Sequence, residues 1–205
     1  MNLIQETKKA ILACMNDFET NQVMLKSMKD VHHPDLFSLV VDDKDGNLTR
    51  VFIALKEIKP FAIKLHSHTY DLKLAVVSGV FQHFQALELG NGATGIGSVL
   101  LNKYQYKSVL KGGDGLTLIS ENTPYGIMQS YIPPTGEIHM TCKDIHTVAV
   151  EEGTIWIVQE HGVKKEASIV LGEKFTTENL YNDVHPIEID DMMCTVLKAI
   201  DSLGV

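Results

Sequence analysis

The chain is short of cysteine, of positive charge and of long apolar runs, and each shortage excludes something. Its three cysteines, Cys14, Cys142 and Cys194, are odd in number and far apart. That is not the framework of a disulfide-stapled secreted domain. Lysine and arginine total 18 against 26 aspartates and glutamates, for a formal net charge of −8. Gripping nucleic-acid phosphates needs a basic surface, so no nucleic acid is expected as a partner. No apolar run approaches the ~20 residues that cross a bilayer, so no membrane association is expected. The opening "MNLIQETKKAILAC" has no long apolar core and no small-residue cleavage site, and we read no signal peptide in it. The expected compartment is the reducing cytoplasm, where the "NLT" sequon at Asn47 has no consequence.

What remains is ordinary globular material, 44% hydrophobic and 21% charged. The expectation is one domain over residues 1–205, without repeats or a linker-like stretch. Residues 1–30 read as helical, with Ile4, Ile11, Leu12, Met15 and Phe18 at helical spacing. "VHHPDL" ends that segment, because the residue before Pro34 is pushed out of the helical region. From Leu36 the period changes to that of strands. "LFSLVVDDKDGNLTRVFIALKEI" reads as a hairpin whose turn supplies Asp, Gly and Asn for positive φ. The segments "PFAIKLHSH", "LKLAVVSGVFQHFQALEL", "YGIMQSYI", "HTVAV" and "TIWIVQEHG" follow, separated by turns such as "PPTGE" and "EEG", and predict an antiparallel sandwich or barrel. Residues 188–205 predict a closing helix, with Asp190 or Asp191 as N-cap and Met193, Val196, Leu197 and Ile200 as its stripe.

Several signals carry less chemistry than their letters suggest. Gly90, Gly92 and Gly95 have GxGxxG spacing, and "SVLLNKYQY" after them is open to a helical reading. The surrounding hairpins are not βαβ units, however, so a glycine-rich loop is the reading preferred. "KGGDG" at Lys111–Gly115 lacks the ending of a phosphate loop and reads as a turn, and His32 and His33 beside Pro34 read as a surface loop. Cys142 stands between His139 and His146 as H-x2-C-x3-H, a soft-metal spacing. A free cysteine packed as a small hydrophobe is the commoner case.

The most informative stretch is "PFAIKLHSHTYDLKLAVVSGVFQH", Pro60–His83. Side chains at i and i+2 of a strand project from one face, so His66 and His68 form a natural two-point clamp for a metal. The bland alternative is a pair of surface histidines on a solvated face.

The segment resembles the first motif of the cupin superfamily, G-x5-H-x-H-x3,4-E-x6-G. His66 and His68 match its histidine pair and Gly79 its closing glycine. Pro60 stands where the first glycine belongs and Leu72 where the glutamate ligand belongs. Asp71 is the nearest substitute, but its side chain leaves the opposite face unless the strand is bulged. For the second motif there are two registers. "PTGEIH" matches its P-x-G-x2-H locally and gives His139. "HTVAV-EEG-TIWIV" has the shape of its trailing hairpin and gives His146, the register preferred. The resemblance covers residues 36–161 and stays at the level of motifs.

The resemblance implies an all-β core, a cupin-like double-stranded β-helix or jelly-roll sandwich, between N- and C-terminal helices. It implies a divalent first-row metal (Fe, Zn, Ni or Cu) on His66, His68 and His146, with His139 as the alternative third ligand. Three functions then compete. The first is a metal-dependent enzyme on a small molecule, of dioxygenase or isomerase type. The others are a small-ligand sensor and a metal-free structural jelly roll. Two expectations follow if "FAIKLHSH" is one unbroken strand. Phe61, Ile63 and Leu65 need cover on the face away from the histidines, which suggests a homodimer. Lys64 shares the histidines' face, which suggests a small anionic ligand.

Overall fold

The structure is a computed structural model of the chain and describes residues 2–16, 26–30, 32–90, 97–108, 112–173 and 189–204, with side chains of the last stretch from 191. Phe18, Gly92, Gly95, Lys111 and the Asp190 side chain lie outside the described residues. The elements in chain order are α1 Leu3–Asn16, β1 Met28–Lys29, β2 Leu36–Lys44, β3 Asn47–Ala54, β4 Leu65–His66, β5 Tyr70–Ser78 and β6 Phe81–Glu88. β7 Ser98–Lys107, β8 Gly115–Ile132, β9 Glu137–Met140, β10 Ile145–Val150, β11 Ile155–Val163, β12 Ser168–Gly172 and α2 Ile189–Ser202 complete the order.

The fold is a cupin-like jelly roll with two terminal helices. One sheet runs β1-β2-β3-β11-β5-β9, and β10-β4-β12-β7-β8-β6 close into a barrel. Both are antiparallel at every pairing. Strand alternation gives the open sheet two apolar faces. Val51, Ile53, Ala75, Val77, Ile155 and Ile157 point to one side, where they pack with Leu3, Ile4, Ile11 and Cys14 of α1 and Met193, Val196 and Ile200 of α2. Phe52, Leu72, Leu74, Val76 and Trp156 point to the other and pack with Phe81, Val148 and Val150 of the barrel strands. A third cluster, Leu65, Ala86, Tyr125, Ile145 and Leu171, lies within the barrel strands.

Asn2 caps α1, its Oδ1 accepting from Gln5 N at 3.0 Å. The buried stripe of α1 is Leu3, Ile4, Thr7, Ile11 and Cys14. Leu12 and Met15, expected on it, are 46% and 41% exposed. They fall one position off the row because Thr7 occupies the slot in line with Ile4 and Ile11. Residues 28–29, expected as helix, form β1 instead, paired with Phe37 and Ser38. The hairpin β2–β3 forms as read, with Asp45 and Gly46 at φ of 54° and 82°. "SVLLNKYQY" is a strand, β7, and not a helix. The β core also continues beyond His161, since β12 pairs with both β4 and β7.

The largest departure concerns Pro60–His68. Phe61 takes a φ of 64°, and residues 60–63 turn, so only Leu65 and His66 are strand. The turn breaks the alternation on which two expectations stood. Ile63 is buried on the cavity side with Phe52, Leu72 and Trp156, while Leu65 is buried among barrel residues. Phe61 packs its ring against Phe84 with centroids 5.1 Å apart. The trio therefore forms no common face for a second subunit to cover, although Phe61 itself stays 43% exposed. Lys64 is exposed and is not among the residues that line the cavity, so the alternation that aimed it at a ligand there is lost.

Candidate metal centre

Three imidazoles converge between the sheet and the barrel. One ring nitrogen each from His66, His68 and His146 lies within 4.8 Å of the others. The register explains the convergence, because His146 of β10 is the direct antiparallel partner of His66 of β4. Directly opposed residues share a face. His68 follows two residues on, and the segment between them is pinned: Ser67 N donates to Ile169 O at 2.8 Å, and Ser67 Oγ accepts from Ile169 N at 2.9 Å. Thr147 Oγ1 donates to Ile63 O at 2.7 Å, fastening β10 to the turn before β4.

Hydrogen bonds decide which nitrogens are available. His66 Nδ1 lies 2.7 Å from the Lys64 carbonyl, which only accepts, so Nδ1 carries the proton and Nε2 keeps its lone pair. His68 Nε2 and His146 Nε2 are 2.8 Å apart and share one proton between them. His83 Nε2 sits 3.2 Å from His146 Nδ1. A cation among the three rings requires His146 Nε2 to be bare. The proton then on His146 Nδ1 has an acceptor in His83, the orienting contact that metal-bound histidines usually have.

The rings are held neutral. Burial lowers the pKa of His66, against a smaller opposing effect of the Lys64 carbonyl. Burial first, and then the other imidazoles, pushes His68 and His146 well below the usual value. Burial likewise lowers His83, with Asp144 opposing. Neutral imidazole is the form that ligates. The donor set thus fits a divalent first-row ion: three nitrogens and no sulfur.

The cluster opens on a cavity of about 210 Å³. Leu36, Phe52, Ile63, Leu72, Leu74, Val148, Trp156 and Val158 make its wall mostly apolar. Its polar groups are the histidines, Arg50, Tyr70, Thr147 and Glu160. Glu160 is buried and accepts from Arg50 Nε at 3.3 Å, while Arg50 Nη1 donates to Ser38 Oγ at 3.1 Å. Tyr70 stacks on His68, centroids 5.2 Å apart, and burial with the neighbouring Glu160 raises its hydroxyl pKa.

Of the two candidates for the third histidine, the structure puts His146 with the pair. His139 lies exposed on β9, opposite Lys73. Leu72 lines the cavity at the position where the motif has its glutamate. Asp71 does not replace it. Its Oδ1 accepts from Cys142 N at 2.8 Å, which holds the turn that leads into β10. Cys142 is free and half-buried, outside the cluster. Gly79 adopts a φ of 89°, and a Cβ there would stand 2.5 Å from Thr154 Oγ1.

Four further residues reach the site unannounced by motif: His32, His83, Arg50 and Glu160. His32, read as surface loop, is exposed but stacks on His66 with centroids 5.6 Å apart. His83 was legible only as a further histidine after the glycine turn. Arg50 and Glu160 carry no local signal.

No family model matches the chain, and no curated protein matches it. Among solved structures it is similar to a hydroquinone 1,2-dioxygenase in complex with Cd2+ and 4-hydroxybenzonitrile, at 12% identity and a TM-score of 0.36, covering 60% of this chain and 62% of that one. It is also similar to the hydroxypropylphosphonic acid epoxidase from S. wedmorenis, at 11% identity and a TM-score of 0.40, covering 68% and 58%. A third is the Drosophila melanogaster CENP-C cupin domain, at 10% identity and a TM-score of 0.27, covering 85% and 100%. The chain thus spans about three fifths of the length of the first two. All three are cupin-fold structures of low identity, and the ligands and activities named for them are theirs.

Proposed function

We propose that the protein binds a divalent first-row transition metal (Fe, Zn, Ni or Cu) through His66, His68 and His146, and acts there on a small molecule as a metal-dependent enzyme of dioxygenase or isomerase type. The observation that supports this is the convergence of three neutral imidazoles on the wall of a cavity, with hydrogen bonds to His66 and His146 that suit their metal-facing nitrogens. When bound, such an ion polarises a ligand or activates water or O₂.

The chain's own residues do the rest. Phe52, Ile63, Leu74 and Trp156 exclude water and give an apolar body a surface to lie on. At about 210 Å³ the cavity is smaller than the ~300–1,000 Å³ usual for ligand pockets, so the ligand is compact. A second reading, a sensor or binding module without turnover, is favoured by Leu72, which takes the usual carboxylate from the site.

Metal analysis of protein purified without a histidine tag tests the proposal. His66→Ala, His68→Ala and His146→Ala should each lose most of the bound metal, while His139→Ala keeps it. Equal and full occupancy in all four variants would overturn the site.

A further inference from the structure

Position 72 withholds a carboxylate from the histidine cluster, and the strand beside it carries one. β11 and β5 are antiparallel neighbours, and Glu160 is the direct register partner of Leu72. Directly opposed residues point to the same face, with Cβ atoms about 4.5–5.5 Å apart. A carboxylate at 160 therefore enters the cavity one strand spacing from where a carboxylate at 72 would enter it. We propose that Glu160 is the carboxylate of this metal site, supplied from β11 in place of the one that Leu72 removes from β5. The proposal rests on the metal-site reading above and deepens it.

Burial and contacts support the assignment. Glu160 is 8% exposed and, among the described residues that line the cavity, is the sole carboxylate. A buried carboxylate in a mostly apolar wall is costly unless it is compensated. Arg50 supplies that compensation through Oε1, and a carboxylate has capacity for about four hydrogen bonds, so one contact does not exhaust it. Tyr70, whose hydroxyl pKa the neighbouring Glu160 helps to raise, stacks its ring on His68. The Glu160 oxygens are not among the ligand atoms that lie within 4.8 Å of one another, so the carboxylate has to turn from Arg50 to reach an ion held by the rings. Ser38 Oγ is a second acceptor for Arg50, so the guanidinium keeps a partner if the carboxylate turns toward the rings.

Charge makes the assignment useful. Three neutral imidazoles leave a divalent ion wholly uncompensated, and in a low-dielectric cavity a carboxylate on the adjacent strand acts strongly on it.

The test uses Co2+ with tag-free full-length protein, reading affinity by competition with a chromophoric chelator, together with the visible spectrum of the bound ion. Glu160→Gln should bind Co2+ about 10–100-fold more weakly, with an altered spectrum. Adding Leu72→Glu to Glu160→Gln should restore the affinity, because the charge returns one strand over. If Glu160→Gln fails to fold, the apolar pair Arg50→Met with Glu160→Met takes its place, and the same weakening is expected. Unchanged affinity and spectrum in the variant that folds, with the wild type binding Co2+, would overturn the role of Glu160 and leave the histidine site standing. A wild type that does not bind Co2+ would instead remove the metal reading, and this one with it.

Discussion

His83 governs a histidine it is not grouped with. Its Nε2 faces His146 Nδ1 at 3.2 Å, so it favours the tautomer in which His146 Nε2 turns bare to the cluster. Partners of this kind typically alter metal affinity by about 10–100-fold when removed. His83→Phe preserves bulk at a buried position and deletes the acceptor. It should weaken Zn2+ or Co2+ binding by that range with little change in the far-ultraviolet circular dichroism. Affinity equal to that of the wild type would show that His83 merely packs. At this scale the sequence was legible only where the pattern is local. His66 and His68 show as a clamp because their spacing equals the strand period. His146 was read from "HTVAV-EEG-TIWIV" as a hairpin, although β10 and β11 lie in different sheets and do not pair. Arg50, His83 and Glu160 lie on strands that meet only in the folded sheets, and no spacing along the chain predicts that. Lys64 was misplaced for a related reason: nothing in "PFAIK" announces that Phe61 takes a positive φ, a conformation that bulky residues seldom adopt.

At the scale of elements, the strands were legible and their partners were not. The alternation of β2, β3, β5 and β11 is plain in the letters, and the turn at Asp45–Gly46 follows from its chemistry. β7 escaped because "SVLLNKYQY" alternates poorly, and its pairing with β8 is irregular around Leu101 and Tyr104. β12 escaped because it is five residues long and pairs with strands far away in sequence. Gly79 provides a test of how tightly the elements are joined. It links β5 to β6 at a φ of 89°, and a Cβ there would stand 2.5 Å from Thr154 Oγ1 and 2.7 Å from Thr154 Cα. Gly79→Ala combines left-handed strain with overpacking against backbone, each worth about 1–3 kcal/mol. Gly153, in the turn between β10 and β11, has a φ of 79°, and a Cβ there would meet nothing within 4 Å. Gly153→Ala should therefore cost only about 1–2 kcal/mol. Urea unfolding of the two variants measures the difference. Equal losses would mean that the approach of Thr154 to Gly79 relaxes freely.

On the scale of the whole molecule, the histidines link stability to pH. His66, His68, His83 and His146 all have folded-state pKa values below the ordinary 6.5, chiefly through burial. An unfolded chain exposes the same rings at their ordinary value. Below pH 6.5 the unfolded state therefore binds more protons than the folded one, and stability rises with pH wherever that holds. The contribution is fully present above 6.5 and is lost as pH falls from there through the folded values. Asp35, Asp43 and Glu137 also have lowered values, but their loss belongs to a separate window below about pH 4. Thermal melts of chelator-treated protein should accordingly show a falling midpoint from pH 7 to pH 5, before those carboxylates titrate. Adding Zn2+ should raise the midpoint at pH 7, because an ion that binds only the folded state stabilises it by mass action. The increment should shrink toward pH 5, where protons compete for the same nitrogens. A midpoint that stays flat between pH 7 and 5 without metal would show that the rings are not held neutral. A Zn2+ increment that is independent of pH would show that the ion is bound by groups other than imidazoles.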